Sequence, residues 1–427
     1  MTAGDLFSDT MQRFVLAQQP NAPDVTELRA RRVRQILRHA YERVPLYHNL
    51  YQSHGISIDT INGPDDLWRL PAVQKSDYLR IGPKDYTDGH ESLLNFTTQR
   101  TSGSIGRALT MYAGAEESSL LLANLWAGWL GLGVTSRDRL LMIAAPYLSE
   151  RVPPYASLFI PVELTMEEMV EQFRNFRPTV IIGMVEGIAL LAKELQRRNV
   201  PERHEVRALF PFGQTYSEQL RDMVTSGFDG EVFVLYGSAE GGWIGYECER
   251  HNGFHIPEGR IVPQIARTEK PDEPAAPGET GEVIITSLLR GTTPFIRYRL
   301  QDAAAIDPTP CPCGRKSPRV VNLEGRVQDF LVATDGHWVG PGTVTIDLVV
   351  TRPAIVDHRI VQDERDHVQV SLVLDPDAPP VDPKDVERTL QKHLGPVDVT
   401  VEKVDEIPLD PSGKRRRVFR MIDLPDA

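Results

Sequence analysis

Apolar and polar positions along the chain fall into helical and extended stretches. Across Val25 to Tyr51, the residues Leu28, Val33, Ile36, Leu37 and Tyr41 recur at helical spacing, with arginines on the other face. Pro45 interrupts this helix and Gly55 ends the segment. Leu70 to Tyr78 reads as a loop entering a new helix, with Ser76 as its N-cap. Leu93–Thr98 and Ala108–Tyr112 read as short strands on either side of a glycine-rich run. Ala115 to Gly131 is an apolar helix containing Trp126 and Trp129. Buried strands and helices then alternate. The strands are Leu140–Ala144, Pro178–Gly183, Ala208–Gly213 and Val232–Gly237, and the helices are Met166–Phe176 and Val185–Arg198. This order predicts α/β layering with a largely parallel sheet, whose ligands sit at the carboxyl ends of the strands. Gly213 and Gly237 are expected at those ends.

The texture then changes twice. Thr268 to Gly281 is rich in Pro, Glu and Ala and reads as an exposed loop. Glu282–Ser287 and Pro294–Arg299 read as strands around a turn at Arg290-Gly291, suggesting a β-subdomain. From about Gln328, His358–Gln362 and His367–Leu374 alternate around Asp363 to Asp366 as a hairpin. Pro383–Leu394 follows as an amphipathic helix and Val397–Val404 as a strand. The expected fold class is therefore α/β. A large multi-layer N-terminal domain, residues 1–327, combines α/β subdomains with a β-subdomain. A small, mobile α+β domain, residues 328–427, completes the chain.

Composition narrows the classes. At 427 residues, two or three domains are expected, and 41% hydrophobic with 25% charged residues is ordinary for a globular protein. A formal net charge of -12 argues against a general nucleic-acid or anionic-membrane binder. No stretch is apolar enough for a membrane helix, and Met1 to Gln19 carries Asp5 and Asp9 without a signal-like apolar run. Three cysteines make no disulfide framework, so a reducing cytoplasm is the expected compartment.

Chemistry concentrates in three places. In Thr101-Ser102-Gly103-Ser104-Ile105-Gly106-Arg107, glycines let the backbone approach a ligand, successive N–H groups can cradle an anion, and Arg107 adds charge. The usual G-x-x-x-x-G-K-[ST] loop is not present in this run. Near the C-terminus, Ser412-Gly413-Lys414 sets a lysine on a glycine turn, where it can extend into a site. Cys248, His255, Cys311 and Cys313 offer three soft sulfurs and an imidazole, which suits tetrahedral zinc in a structural role; His251 is a competing fourth ligand. The C-x-C spacing of Cys311 and Cys313 is tighter than usual for zinc ligands.

Together these stretches resemble the adenylate-forming superfamily, and within it the phenylacetate–CoA ligase family, over nearly the whole chain. Thr101 to Arg107 matches the phosphate loop. Tyr236-Gly237-Ser238-Ala239-Glu240 matches the second signature, Tyr298 to Asp302 and Gly325-Arg326 the third and fourth, and Pro408 to Lys414 the last. Ile36 to Tyr47 and Leu70-Pro71 through Lys75 resemble the phenylacetate branch in particular. The resemblance implies an AMP-forming ligase that turns a carboxylic acid, aryl or otherwise hydrophobic, into an acyl-adenylate and passes the acyl group to coenzyme A. It implies that Thr101, Ser102, Gly103, Ser104, Gly106 and Arg107 hold the phosphates of ATP and that Glu240 holds Mg²⁺. Gly213 and Tyr236 would flank the adenine, Gly237 and Ser238 would join the nucleotide-binding set, and Asp302 would accept from the ribose hydroxyls with Arg326 beside it. Lys414 would bridge the substrate carboxylate and the α-phosphate. The acid would lie near Tyr147, Phe212, Gln214, Tyr216 and Trp243. Transfer to a carrier-protein thiol, an amine or another nucleophile is the alternative, as is nucleotide binding without catalysis; a homodimer is left open. One departure stands out: the fourth signature usually continues with an acidic pair at the hinge, where this chain has Gln328 and Asp329, and Phe330 to Gly342 fits the family poorly.

Overall fold

The computed structural model describes residues 24–89, 96–101, 108–144, 157–161, 164–213, 218–267, 270–349, 352, 354–408 and 417–422. Three sheets organise them. A five-stranded, wholly parallel sheet runs in the order Ser157–Pro161, Leu140–Ala144, Val180–Met184, Ala208–Phe212, Glu231–Val232. Its three central strands are continuous apolar runs because both faces are covered. On one face lie the helices Met166–Phe176 and Val185–Arg197, with Phe173, Leu191 and Leu195 buried. On the other lies Ala115–Gly131, which buries Trp126 and Trp129; each ring contributes about 2–3 kcal/mol.

The ends of this sheet are chemically different. At the amino ends, the buried Asp138 accepts from Arg207 Nε at 2.9 Å and from Thr179 Oγ1 at 2.8 Å. Asp138, Thr179 and Arg207 each sit just ahead of a neighbouring strand, so one carboxylate fixes the stagger of three strands. At the carboxyl ends lie Met184, Phe212 and Gly213, the last with φ +96.

The second sheet has eight strands and is antiparallel, in the order Lys270–Pro274, Ile261–Arg267, Gly281–Ser287, Tyr298–Asp307, Arg319–Arg326, Phe254–His255, Gly242–Tyr246, Leu235–Ser238. The N-terminal helices Thr26–Arg43 and Pro45–Ser53 pack on it through Val33, Leu37, Tyr47 and Tyr51. The third sheet, in the order Asp398–Lys403, His367–Leu374, Ile355–Glu364, Val418–Arg420, has its own core with the helix Pro383–Leu394, including Val386, Leu390 and Leu394. The hairpin expected around Asp363 to Asp366 is present, paired Glu364 to His367.

Four local expectations are corrected. Ser76 does not cap its helix, Lys75–Leu79. Gln74 is the N-cap, and its N–H donates to Asp77 Oδ2 at 2.8 Å. Val232–Gly237 is not one strand. Glu231–Val232 closes the parallel sheet and Leu235–Ser238 opens the antiparallel one, because the N–H of Val234 is taken by Glu247 Oε2 at 2.8 Å. Gly237 therefore lies in the antiparallel sheet and not at the end of a parallel strand. Within the loop expected over Thr268 to Gly281, Lys270–Pro274 pairs with Ile261–Arg267. Pro294 to Arg297 does not begin a strand. Buried tyrosines take its backbone groups: Tyr78 Oη donates to Pro294 O at 2.9 Å, and the N–H of Ile296 donates to Tyr47 Oη at 2.9 Å. The strand starts at Tyr298.

Candidate active site

The hairpin Thr97–Arg100 with Thr110–Ala113 flanks the glycine-rich run in sequence. Its last described pair is closed by Thr101, whose hydroxyl accepts from the N–H of Leu109 at 3.0 Å. Ser102, Gly103, Ser104, Gly106 and Arg107 lie outside the described residues, as do Tyr147, Gln214, Tyr216 and Lys414. Arg290, nearly fully buried, fastens the hairpin to the second signature: its guanidinium donates to Gln99 Oε1 at 2.9 Å and to Ala239 O at 2.8 Å. Beside it, Glu117 accepts from the N–H groups of Thr292 (2.8 Å) and Gly291 (3.2 Å). Burial lifts its carboxyl above the ordinary range against the pull of these bonds and of Arg290.

Two tyrosine–carboxylate pairs follow. Tyr236 Oη donates to Asp302 Oδ2 at 2.9 Å, and Asp302 faces Arg326 across neighbouring strands. Tyr298 Oη donates to Glu240 Oε1 at 3.0 Å. Burial and then the adjacent carboxylate push both phenols well above their usual pKa, so each stays a donor at neutral pH. Each tyrosine thereby orients one carboxylate oxygen, and among the described residues no hydrogen bond falls on Glu240 Oε2. Ser238 Oγ accepts from the N–H of Gly241 at 2.9 Å, closing the turn that carries Glu240.

On the other side of this turn, Trp243 meets Phe212 edge to face, ring centroids 5.8 Å apart. A Cβ on Gly237 would lie 2.7 Å from the Trp243 ring, and one on Gly128 3.7 Å from it. Glycine at 237 therefore gives the indole the close approach to this turn that any Cβ would block.

Lys75 carries a signal that reading the sequence did not assign to chemistry. It starts its helix and faces the charges of Glu240 and Arg326. Desolvation lowers its pKa, Glu240 raises it and Arg326 lowers it further. Its position in the Leu70-Pro71…Lys75 segment was the available clue. Arg290 was likewise read only as a turn.

Cys248, His255, Cys311 and Cys313 converge. Their four donor atoms all lie within 4.8 Å of one another. Cys248 Sγ and Cys311 Sγ are 3.8 Å apart, and Cys313 Sγ lies 3.3 Å from His255 Nε2. A tetrahedral zinc with bonds of about 2.3 Å to sulfur needs a sulfur–sulfur edge of about 3.8 Å. His255 Nδ1 is 3.1 Å from Ser317 Oγ, which turns Nε2 toward the sulfurs. Burial, with Arg315 and Arg319 nearby, lowers the imidazole pKa to about 4, so the ring is neutral and able to ligate. The N–H groups of Arg250 and Arg315 point at Cys248 Sγ and Cys313 Sγ, each at 3.5 Å. The donor set therefore fits zinc. His251 turns instead toward Glu247, Nδ1 to Oε2 3.4 Å, which settles the choice of imidazole within this cluster.

In fold and in sequence the chain is similar to AMP-forming, adenylate-forming ligases, and it is an enzyme of that kind. The chain is related to the phenylacetate–CoA ligases. It is 26% identical over 356 residues to the phenylacetate-coenzyme A ligase of Thermus thermophilus, covering 78% of this chain and 76% of that protein. It is 22% identical over 413 residues to protein CapK of Staphylococcus aureus, covering 92% and 88%. Its fold matches that of 2-hydroxyisobutyryl-CoA ligase in the postadenylation state, bound to an acyl-AMP, with a TM-score of 0.75 at 19% identity, covering 92% and 88%. No family model matches the chain. No helix among the described residues is long and apolar enough to cross a membrane.

Proposed function

We propose that the protein activates a hydrophobic, aryl-type carboxylic acid with ATP and transfers the acyl group to the thiol of coenzyme A. The observation that carries this is the pairing of Tyr236 with Asp302 and of Tyr298 with Glu240 around one turn. In the first step, a carboxylate oxygen forms a bond to the α-phosphorus while the bond to the bridging oxygen of the β-phosphate breaks; acyl-adenylate and pyrophosphate result. This is chiefly a problem of stabilising charge. Asp302 accepts from the ribose hydroxyls with Arg326 beside it, and Tyr236 fixes the carboxylate rotamer. The run 101–107 receives the outer phosphates, and Lys414 spans the attacking carboxylate and the α-phosphate. Mg²⁺ suits Glu240, whose second oxygen accepts no hydrogen bond among the described residues, and it would neutralise phosphate charge. Phe212 and Trp243 form the aromatic side of the acid pocket. In the second step, the thiolate attacks the acyl carbon and AMP leaves, the small domain beyond Gln328 having turned about its hinge. Zinc at the Cys₃His cluster is structural in this reading.

Pyrophosphate exchange over a panel of aromatic and aliphatic acids tests the first step. Acid-dependent exchange is the expected result, and none with any acid would overturn the reading. AMP and thioester formation on adding coenzyme A tests the acceptor; exchange without thioester would move the second step to another nucleophile.

A further inference from the structure

The stretch Phe330 to Gly342 departs from the family pattern, and its packing points to a function for a residue far along the chain. Val327–Asp329 forms a single 3-10 turn at the expected hinge. Leu331–Val332 and Trp338–Val339 then pair as a short hairpin whose apolar residues join the C-terminal core. Arg420, on the last strand of the small sheet, reaches back to this turn. One terminal guanidinium nitrogen donates to Val327 O at 3.0 Å and to Phe330 O at 2.7 Å. The guanidinium lies over the Trp338 ring, 5.1 Å from its centroid, and Trp338 packs against Phe330 at 6.1 Å. Gln362, paired with Arg420 in register, grips the next residue of the hairpin. Its amide accepts from Val332 N at 2.7 Å and donates to Val332 O at 2.8 Å.

We propose that Arg420 is a positioning residue that clamps the hinge by bridging the carbonyls at both ends of the 327–330 turn. The rotation of the small domain proposed above would change φ and ψ within this turn. Two carbonyls held by one nitrogen cannot move apart without releasing it. Arg420 follows Lys414 by six residues in the sequence. A lysine at 420 would keep a donor but lose the planar seat on Trp338. The role in the two half-reactions rests on the function proposed above; the clamp itself does not.

The hinge contains its own probe, because trypsin cleaves after Arg326. Native full-length protein would be digested and cleavage at Arg326–Val327 compared with cleavage after the remote, exposed Arg198. Arg420→Ala is expected to speed the hinge cut about 10-fold relative to the Arg198 cut, as loss of a charge-assisted bridge raises local opening. Arg420→Lys is expected to fall between, and Trp338→Leu to shift the same way by less. Equal rates in wild type and Arg420→Ala, or a rise at both sites in parallel, would overturn the clamp. Because this readout needs no substrate, a wild type inactive in pyrophosphate exchange would refute the proposed function and leave the clamp standing.

Discussion

Tyr236 and Asp302 sit on strands with three others between them in the sheet order, yet Tyr236 Oη lies 2.9 Å from Asp302 Oδ2. Four inter-strand steps span about 19 Å in a flat sheet. The sheet must therefore curl so that its Leu235–Ser238 edge returns toward Tyr298–Asp307. Tyr236 and Asp302 meet because of that curl. Tyr236→Phe removes the donor and keeps the ring. We expect KM for ATP to rise about 5–10-fold with little change in Tm, measured by pyrophosphate exchange. Asp302→Ala should cost about 100-fold or more in kcat/KM. An unchanged KM in Tyr236→Phe would show that the bond serves folding alone.

Lys75 brings a cation to Glu240 from a helix start some 165 residues earlier in the chain. Lys75→Ala is expected to lower the rate of pyrophosphate exchange by about 10-fold. Lys75→Arg should recover part of it. Equal exchange in Lys75→Ala and wild type would leave this lysine a surface residue of its helix.

The Cys₃His cluster joins the turn after Gly242–Tyr246 to the loop between Tyr298–Asp307 and Arg319–Arg326. Protein purified without chelator should hold about one zinc per chain by metal analysis. Chelation, or Cys311→Ser, should lower Tm by several degrees and weaken ATP binding, since the clipped strands carry Asp302 and Arg326. A metal content near zero would reduce the cluster to buried thiols.

Asp138 is held to a pKa of about 2. Burial pushes it up, but the bonds from Arg207, Thr135 and Thr179 more than offset this. Its folded value lies below the unfolded one, so its stabilisation is present above pH 4 and is lost as pH falls toward 2. Asp138→Asn should destabilise the fold by about 1–2 kcal/mol at pH 7 in denaturant unfolding, after allowing for the partial exposure of Arg207. The difference from wild type should shrink in acid; a constant difference would contradict the assignment.

His358 is buried in the small domain, its Nε2 3.3 Å from Thr345 Oγ1. Burial, with Arg417 nearby, lowers its pKa to about 4 despite Asp357. A depressed folded pKa means that stability is whole above the unfolded value near 6.5 and declines as pH falls toward 4. Denaturation followed between pH 7 and 5 should show this loss, and His358→Gln should flatten it. The same slope in both proteins would exclude this histidine as its source.

Much of the fold could be read from periodicity. Ala115–Gly131, Leu140–Ala144, Met166–Phe176 and Pro383–Leu394 run where apolar spacing places them, because each buries one continuous stripe or run. Reading failed where side chains from distant segments claimed backbone groups. Glu247 splits the segment after Val232, and Tyr47 and Tyr78 hold Pro294 to Ile296 out of a ladder. No local pattern announces such contacts. The candidate site was legible through its motifs, since Tyr236, Glu240, Asp302 and Arg326 stand in short signatures. Lys75, Arg290 and Arg420 were not, since their meaning lies only in what they reach in distant parts of the chain.

The opposite ends of the parallel sheet also bear on how such a chain can change. Asp138 secures three strands at the amino ends, while Phe212 and the residues around it occupy the carboxyl ends. Exchanging side chains near Phe212 and Trp243 leaves the foundation at Asp138 untouched. Under the function proposed above, a lineage could thus retune which acid it accepts by drift at one rim, with little penalty to folding at the other.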